Sequence, residues 1–568
     1  MTRHIVSLVL LGLACVFAQT NVTRDYGRSM TITKYGIAAT SQILASQAGA
    51  EILAHGGSAA DAAIASNAVL GLVEPMMDGI GGDLFSLYWD AKSGKLYGLN
   101  ASGWSPKGMT IEYFANKGVK SMPGSGIDSA TVPGCVRGWA AMHKRFGKLP
   151  WKALFEPAIR YANEGFPVTE RVAASWGGEN NVKRLRLKEG APEIFLPNNE
   201  VPTQGQVFRN PALARAYTLI AEQGADAFYK GEIAKAIIGV QKQLGGVMDL
   251  DDLAEWQPEW VEPISTTYRG WRVYEIPPNG QGIGALEMLN LMEQAELGKY
   301  PAMSAEALHW KIESMRLAYT DLRKYVGDPR FVNVPVNGML SKEYAKKRAA
   351  GIDPNRANCK TESGIPGVTG NTTYLATVDS EGNIASWIQS VSGLWGSAVA
   401  VPGFGFHLHN RGGGFRLDPK HASALQPRKR PFHTIIPGFA EKDGKRIGFG
   451  IMGGPVQPLS HAQFISNMVD HKMNLQGALE TPRFVEARAG GGRKLEGCEV
   501  GIETRVPADV RKALAARGHK LDEMGPYNIV YTGTGQAVMH DSTTHVNFAA
   551  SDPRGDGAAV PESPRGKN

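Results

Sequence analysis

Cysteine is scarce in this sequence, which holds four in 568 residues: Cys15, Cys135, Cys359 and Cys498. If the first leaves with an N-terminal leader, an odd number of widely spaced cysteines remains. That pattern predicts neither a disulfide framework nor a zinc cluster, because both use cysteines at short, regular spacings. A chain of this length can bury a large core, and we expect that core to supply the stability.

Long apolar runs are missing beyond the N-terminus, where one run extends from about Ile5 to Phe17 after the basic Arg3. This run is shorter than the roughly 18 apolar residues that a bilayer span needs, so no stable membrane span is predicted. Its composition is typical of a secretory signal peptide, residues 1–18, cleaved after Ala18; lipidation of Cys15 is the alternative. We therefore expect the mature protein to be secreted or periplasmic.

A strong bias of charge is lacking as well. The formal net charge is +7, and the basic residues are spread along the chain, with the densest run in PRKRP at residues 427–431. A run this short is typical of an ordinary solvated surface, so no nucleic-acid partner is predicted.

Several catalytic motifs are absent from the sequence: it has no Walker phosphate loop, no G-x-S-x-G elbow and no H-E-x-x-H pair. His407 and His409 lie two apart on a possible strand and could share one face as metal ligands. No third ligand is evident, so core or surface histidines are favoured. We predict no metal site and no cofactor.

What the sequence does contain is a change of pattern near residue 365. Before it, amphipathic helical segments dominate, such as the one that Ser58 caps and the one that begins after Ser304. After it, alternating segments such as TTYLATV and NIASWIQS indicate strands. We expect a helix-rich N-terminal part and a strand-rich C-terminal part, with a poorly ordered tail from Ser551 onward.

The stretch GVTGNTTYLATVDSEGNIASWIQSVSG, residues 367–393, indicates a glycine-rich linker followed by a β-hairpin. If residues 380–382 form a three-residue loop with glycine in the left-handed region, the register of the two strands follows. Counting back along the hairpin places Thr372 opposite Ser390. The two hydroxyl groups should therefore be neighbours at the open end of the hairpin.

Two neighbouring hydroxyls behind a flexible linker suit catalysis by an N-terminal threonine. A threonine hydroxyl is a weak nucleophile unless a base lies beside it. If the bond between Asn371 and Thr372 is cut, the new α-amine of Thr372, with a reference pKa of about 8, supplies that base. The alternative is that Thr-Thr at a strand start reflects only the β-propensity of threonine.

A series of ordered segments resembles one family: HGGSAADAAIASNAVLGLVEP, GIGGDLF, TVPGCVRGW, EPAIRYANEGFPV, PPNGQGIGALEMLN, RLAYTDLRKYVGDP, NTTYLATVDSEGN, FGIMGGP and ASDPRGDG. On these segments the sequence resembles the γ-glutamyltranspeptidase (glutathione hydrolase) family of N-terminal-nucleophile hydrolases, in a divergent branch. The resemblance implies an α/β fold with a four-layer αββα sandwich. It also implies self-cleavage before Thr372 into a helix-rich large subunit, residues 19–371, and a strand-rich small catalytic subunit, residues 372–568.

Catalytic roles carry over by the same resemblance. Thr372 is expected to be the nucleophile, and the hydroxyl of Ser390, eighteen positions later, to hydrogen-bond to it. The pair Gly453-Gly454 matches the oxyanion hole of the family. Such a pair between a strand and a helix can present peptide N–H groups to a tetrahedral oxyanion.

The substrate-binding residues depart from the family pattern. Ser102, in LNASGWSP, stands where the family has an arginine for the substrate α-carboxylate. In HNRGGGF, Asn410 is retained, but Gly414 stands where the family has the acid for the α-amine. His433-Thr434 replaces a pair of serines that helps to hold the carboxylate. Losing both charged clamps would weaken binding of a free γ-glutamyl group.

Arg411 and His433 are candidate replacements, and Arg411 could bind a carboxylate. The predicted reaction is acyl transfer from a small-molecule amide to Thr372, followed by release to water or to an amine acceptor. Three functions stay open: a γ-glutamyltransferase or glutathione hydrolase, an acylase for another amide such as a glutaryl amide, or an inactive exported binding protein.

Overall fold

The structure, a computed structural model, describes residue 24 and residues 26–360, 372–487 and 497–564. The predicted signal peptide, the glycine-rich linker and Asn371 lie outside the described residues. Within them the helices are Ile43–Ala54, Ala59–Val73, Ile111–Asn116, Cys135–Phe146, Glu156–Glu164, Glu170–Trp176, Glu179–Leu185, Pro192–Phe195, Pro211–Gln223, Asp226–Tyr229, Glu232–Gln243, Leu250–Glu255, Gly282–Met292, Ala305–Tyr325, Val336–Met339, Lys342–Ala349, Gln457–Val469, Leu475–Glu480, Ala508–Ala516 and Ile529–Thr532.

Two seven-stranded antiparallel sheets form the centre of the molecule. The first sheet has the spatial order Thr31–Thr33, Val546–Ser551, Gly535–Asp541, Lys445–Ile451, Gly438–Lys442, Trp271–Glu275 and Ile264–Tyr268. The second sheet has the order Ala558–Pro561, Ile37–Thr40, Thr373–Val378, Ile384–Ser390, Asp83–Asp90, Lys95–Ala101 and Glu259–Val261. A three-stranded sheet contains Phe484–Glu486, Glu499–Glu503 and Lys520–Met524. A two-stranded sheet pairs Phe166–Pro167 with Val207–Phe208.

The two large sheets pack face to face, and helices cover both outer faces. Helices Ile43–Ala54 and Ala59–Val73 pack on the second sheet, and helices Gly282–Met292 and Gln457–Val469 pack on the first. Each outer interface has its own cluster of buried apolar side chains. The predicted four-layer αββα sandwich is therefore confirmed.

Local sequence signals fix the helices that cover the sheets. Ser58 Oγ accepts the N–H of Asp61 at 3.1 Å, and the Asp61 carboxylate accepts the N–H of Ser58 at 2.9 Å, which completes the predicted capping box. The helix Ala59–Val73 behind this cap is rich in alanine and buried along its whole length. The helix predicted after Ser304 is confirmed as Ala305–Tyr325.

The predicted hairpin is also confirmed in its register. Strands Thr373–Val378 and Ile384–Ser390 pair antiparallel, with Thr373 opposite Gln389 and Val378 opposite Ile384. The turn contains Gly382 at φ +84°, in the left-handed region that a three-residue hairpin loop needs. Both strands are buried because the second sheet lies between a helical layer and the other sheet.

Two expectations from the sequence were wrong. Cys359 and Cys498 form a disulfide with a Cα–Cα distance of 4.7 Å, although 139 positions separate them in the chain. A pair so distant in sequence carries no spacing signal, so only the folded chain reveals it. The tail after Ser551 is not poorly ordered up to residue 564: Ala558–Pro561 forms an edge strand against Ile37–Thr40.

Among the described residues, no helix combines the length and the apolar composition that crossing a bilayer requires.

Candidate active site

The fold brings the two predicted hydroxyl groups together. Thr372 Oγ1 lies 3.2 Å from Ser390 Oγ, within hydrogen-bonding distance, and both side chains are fully buried. The N–H of Ser392 also donates to Ser390 Oγ at 2.7 Å, which fixes that side chain. Ser390 ends a strand whose other neighbour in the sheet begins at Asp83. The hairpin thus holds Thr372 next to Ser390, close to the start of strand Asp83–Asp90.

The predicted oxyanion pair lies where strand Lys445–Ile451 turns towards helix Gln457–Val469. Gly453 has φ +145° and Gly454 has φ +62°, so both positions require a conformation that glycine adopts without strain. The first peptide N–H groups of a helix have no partner within the helix and can bind an anion. The glycine pair precedes the start of helix Gln457–Val469. The backbone at this pair is therefore compatible with the predicted oxyanion role, which stays a prediction.

A side chain that sequence reasoning missed anchors this turn. Gln281 Nε2 donates to the carbonyl of Gly454 at 2.8 Å and to the carbonyl of Thr434 at 2.6 Å. It therefore joins the Gly453-Gly454 turn to the His433-Thr434 segment. The motif PPNGQGIGALEMLN contains this glutamine, but nothing in its local pattern points to a long-range contact.

Asp83 is a second residue that sequence reasoning missed, and its carboxylate contacts several segments of the chain. One carboxylate oxygen accepts the N–H groups of Gly103 at 3.0 Å and Gly134 at 3.1 Å, and the other contacts His433 Nε2 at 3.0 Å. Burial alone would raise the pKa of Asp83, but nearby His409, His433 and Arg411 bring it below its ordinary value. Asp83 is thus an ionised carboxylate in the interior.

The histidines of this region are neutral at neutral pH. Burial, assisted by the positive charge of Arg411, lowers the pKa of His433 to about 3. The N–H of Ile435 approaches His433 Nδ1 at 3.4 Å, so Nε2 carries the proton that it donates to Asp83. Both ring nitrogens of His433 are therefore engaged within the protein.

Arg411 is the cation of the site. It is 3% exposed, and its Nη1 donates to Thr434 Oγ1 at 2.8 Å. Its preceding residue, Asn410, accepts the N–H of Gly393 at 2.8 Å on its side-chain oxygen. Burial lowers the pKa of Arg411 to about 10, so the guanidinium stays charged at neutral pH.

Ser102 lies in the interior rather than at an open subsite. Its hydroxyl donates to Asn100 Oδ1 at 2.7 Å and approaches Asn279 Nδ2 at 3.3 Å. These contacts use the hydroxyl in both directions. The hydroxyl of Ser102, which was expected to stand where the family has an arginine, is thus part of a hydrogen-bonded network with two asparagine amides.

The two histidines first considered as metal ligands lie in different surroundings. His407 Nε2 contacts the carbonyl of Gly190 at 3.2 Å, whereas His409 Nε2 lies 3.7 Å from Asp83 Oδ1. Another group with metal-ligand chemistry, His309, Glu313 and His519, lies elsewhere in the fold. These side chains already hydrogen-bond to one another or to Arg316, with His309 Nδ1 2.8 Å from His519 Nε2.

A large cleft lies next to Asn410 and Gly413. Its volume is about 1130 Å³. Its walls come from both sides of the predicted cleavage position and include Asn181, Arg184, Leu394, Phe415 and Tyr531. A cleft of this size accommodates a small-molecule amide.

A four-layer αββα sandwich with a threonine at the start of a central strand defines a class, the self-processing N-terminal-nucleophile hydrolases. Comparison with known sequences narrows this class further. The chain belongs to the gamma-glutamyltranspeptidase family, whose sequence profile matches residues 45–562. The family expected from the sequence is thereby confirmed, and with it an enzyme made as a self-processing precursor.

Individual relatives include both hydrolases and acylases. The chain is 38% identical over 521 residues to the glutathione hydrolase-like YwrD proenzyme of Bacillus subtilis, covering 91% of this chain and 96% of the relative. It is 33% identical to the acylase ACY 1 proenzyme of a Pseudomonas strain, covering 86% and 87%. The crystal structure of a cephalosporin acylase from Bacillus halodurans superposes with a TM-score of 0.88 at 41% identity, covering 96% and 99%.

Proposed function

We propose that this protein cuts itself between Asn371 and Thr372 and then transfers acyl groups from a small-molecule amide through an ester on Thr372. The acceptor is water or an amine. The observation that carries the proposal is the 3.2 Å contact between Thr372 Oγ1 and Ser390 Oγ at the start of the central hairpin. The signal peptide of the sequence would direct the protein out of the cytoplasm.

Self-cleavage uses the same hydroxyl that later acts on substrate. Thr372 Oγ1 attacks the carbonyl carbon of Asn371, the C–N bond breaks, and an ester joins Asn371 to the threonine oxygen. Water then opens the ester, which leaves a carboxylate on Asn371 and a free α-amine on Thr372. The products are residues 19–371 and 372–568.

Catalysis follows once that amine is free. The α-amine takes the proton of Thr372 Oγ1 as the oxygen attacks the substrate carbonyl, and it returns the proton to the departing amine. Peptide N–H groups at Gly453 and Gly454 stabilise the oxyanion of the tetrahedral intermediate. Ser390 keeps the hydroxyl of Thr372 directed at the carbonyl, and water or an amine releases the acyl group in the second half of the cycle.

Two acyl groups are candidates. The family and the Bacillus subtilis relative favour a γ-glutamyl group, as in glutathione. A different acyl group is favoured by the site itself, because Ser102 is committed to Asn100 and Asn279 and glycine stands at position 414. The acylase relatives support this second candidate. Assays of γ-glutamyl and glutaryl anilides side by side distinguish the two.

The mass of the purified protein tests the proposal directly. After reduction of the disulfide Cys359–Cys498, wild type should give two chains, with Thr372 as the first residue of the smaller one, and Thr372→Ala should give a single chain. The matched control Thr377→Ala, on the same strand, should still give two chains. An uncut wild-type chain that nevertheless hydrolyses amides would refute the mechanism, and an uncut inactive chain would favour an exported binding protein.

A further inference from the structure

Asp78 is a buried acid that the proposed mechanism does not use. It is 2% exposed and lies in the loop that follows helix Ala59–Val73. Its Oδ2 accepts a hydrogen bond from the Thr373 hydroxyl at 2.9 Å and another from Asn67 Nδ2 at 2.6 Å. Its Oδ1 accepts the N–H of Gly79 at 2.7 Å. Three donors from three segments of the chain thus converge on one carboxyl group.

Two of these donors cannot become acceptors. Asn67 Oδ1 accepts the indole N–H groups of Trp387 at 2.6 Å and Trp139 at 3.2 Å, which leaves Nδ2 for Asp78. The donor at Gly79 is a peptide N–H. Burial raises the pKa of Asp78 to about 7, and its hydrogen bonds oppose the rise, so the carboxylate is mostly ionised at pH 8. In that form it accepts from all three donors.

The loop of Asp78 also holds the second strand of the hairpin. The carbonyl of Gly79 accepts Gln389 Nε2 at 3.1 Å, and Gln389 pairs with Thr373 across the hairpin. Gln389 directly precedes Ser390 in the chain. Thr373 directly follows Thr372. On each strand, the loop therefore contacts the residue beside a proposed catalytic hydroxyl.

Self-cleavage makes the contact with Thr373 more important. Once the bond before Thr372 is cut, the peptide bond to Thr373 is the one covalent link between the nucleophile and the protein. Chain ends are poorly ordered unless a contact holds them in place. Consecutive Cα atoms are about 3.8 Å apart, so a shift of Thr373 is passed on to Thr372.

We propose that Asp78 is a positioning residue for the nucleophile: it holds Thr373 and thereby directs the hydroxyl and the α-amine of Thr372. The inference rests on the proposed reaction at Thr372. Asp78 acts through another residue and does not touch the substrate, so it should affect the chemical steps rather than the binding of the amide. Its loss should therefore lower kcat and leave KM unchanged.

Asp78→Asn tests this role, because it keeps the size of the side chain but turns an amide NH2 group against one of the donors. At pH 8 we expect kcat, for whichever of the γ-glutamyl and glutaryl anilides wild type hydrolyses, to fall by about 10- to 100-fold. KM should stay unchanged, and self-cleavage should slow. The matched control is Asp379→Asn, a buried acid at the other end of the same hairpin that accepts the N–H groups of Ala59 and Asn383. It should lower the melting temperature and leave kcat unchanged.

A double-mutant cycle shows whether Asp78 acts through Thr373. Thr373→Val removes the hydroxyl with little change of shape, and Thr373→Ser keeps the hydroxyl. We expect Thr373→Val to lower kcat as Asp78→Asn does, and Thr373→Ser to stay close to wild type. The double variant, Asp78→Asn with Thr373→Val, should be no slower than the slower of the two single variants. Losses that multiply in the double variant would overturn the proposal.

The state of the wild-type chain separates this inference from the proposed function. A wild-type chain that stays uncut contradicts the proposed function, and the inference with it. A cut, active wild type and an equally fast Asp78→Asn overturn only the positioning role, as does a variant in which KM rises while kcat stays unchanged. If neither anilide reacts, the time course of self-cleavage in the same variants replaces kcat. If Asp78→Asn does not fold, equal rates for Thr373→Val and Thr373→Ser overturn the proposal.

Discussion

At the scale of single residues, the contact between Thr372 and Ser390 gives the sharpest prediction. Ser390→Ala removes one hydrogen bond to the nucleophile, and we expect kcat to fall by about 5- to 30-fold, with slower self-cleavage. Steady-state kinetics and the time course of chain splitting measure both effects. Ser386→Ala is the control: it removes a buried hydroxyl from the same face of the same strand, and it should affect stability rather than kcat. Equal kinetics for Ser390→Ala and wild type would remove Ser390 from the proposed site.

A second residue predicts how stability depends on pH. Burial, with Asp556 and Asp78 nearby, raises the pKa of Glu74 from 4.5 to about 8, although the Ser41 hydroxyl donates to it. Between those pH values the folded chain binds a proton that the unfolded chain has released. Glu74 therefore lowers the free energy of unfolding as pH rises, by up to about 1.4 kcal/mol per pH unit.

Glu74→Gln mimics the protonated side chain and should remove this contribution. Melting temperatures at pH 5 and pH 8 test it: wild type should lose more stability over this interval than the variant. The exposed Glu179→Gln controls for the change of residue type. If wild type and Glu74→Gln lose the same amount, the carboxyl is already ionised at pH 5.

Individual site residues differ in how well the sequence predicts them. The register of a short hairpin is local, so the neighbourhood of Thr372 and Ser390 follows from counting along two strands. The contacts of Asp83 and Gln281 join segments 350 and 173 positions apart, and no periodicity encodes them. Family resemblance marks the segments, but only the fold shows which atoms meet.

At the scale of elements, we expect the strand-to-helix turn at Gly453 to tolerate substitution poorly. Gly453→Ala places a methyl group at φ +145°, and its Cβ would lie 2.8 Å from Val456 Cγ2. The turn must then shift its peptide N–H groups, and losing one oxyanion donor lowers kcat by about 10²- to 10³-fold. Kinetics with a cut preparation measure this loss. Gly239→Ala, in a helix with open space where the added Cβ would lie, is the control and should leave kcat unchanged.

Elements with strong local signals were predictable, and elements defined by distant partners were not. The capping box at Ser58 and the helix after Ser304 need only nearby residues, so the sequence is sufficient for them. The strand Ala558–Pro561 pairs with Ile37–Thr40, more than 500 positions earlier in the chain. Its glycine- and proline-rich flanks favour disorder until that distant partner is present.

At the scale of the whole molecule, the disulfide Cys359–Cys498 joins the two proposed subunits. Cys359 precedes the predicted cut and Cys498 follows it, so self-cleavage should leave the chains covalently linked. We expect denaturing electrophoresis to show one band without reductant and two bands with it. Cys359→Ser should give two bands in both cases, whereas Cys135→Ser, which removes the buried free cysteine, should behave like wild type. Two bands from wild type without reductant would contradict the pairing.

The sheets themselves also interleave the two proposed subunits. In the second sheet, Ile37–Thr40 lies between Ala558–Pro561 and Thr373–Val378, and the first sheet begins with Thr31–Thr33 beside Val546–Ser551. Neither proposed subunit can complete these sheets alone, so we expect the chain to fold before the bond is cut. Self-cleavage then depends on successful folding. A misfolded chain would not expose the α-amine of Thr372 and would stay inactive. Every active molecule must therefore have folded correctly first.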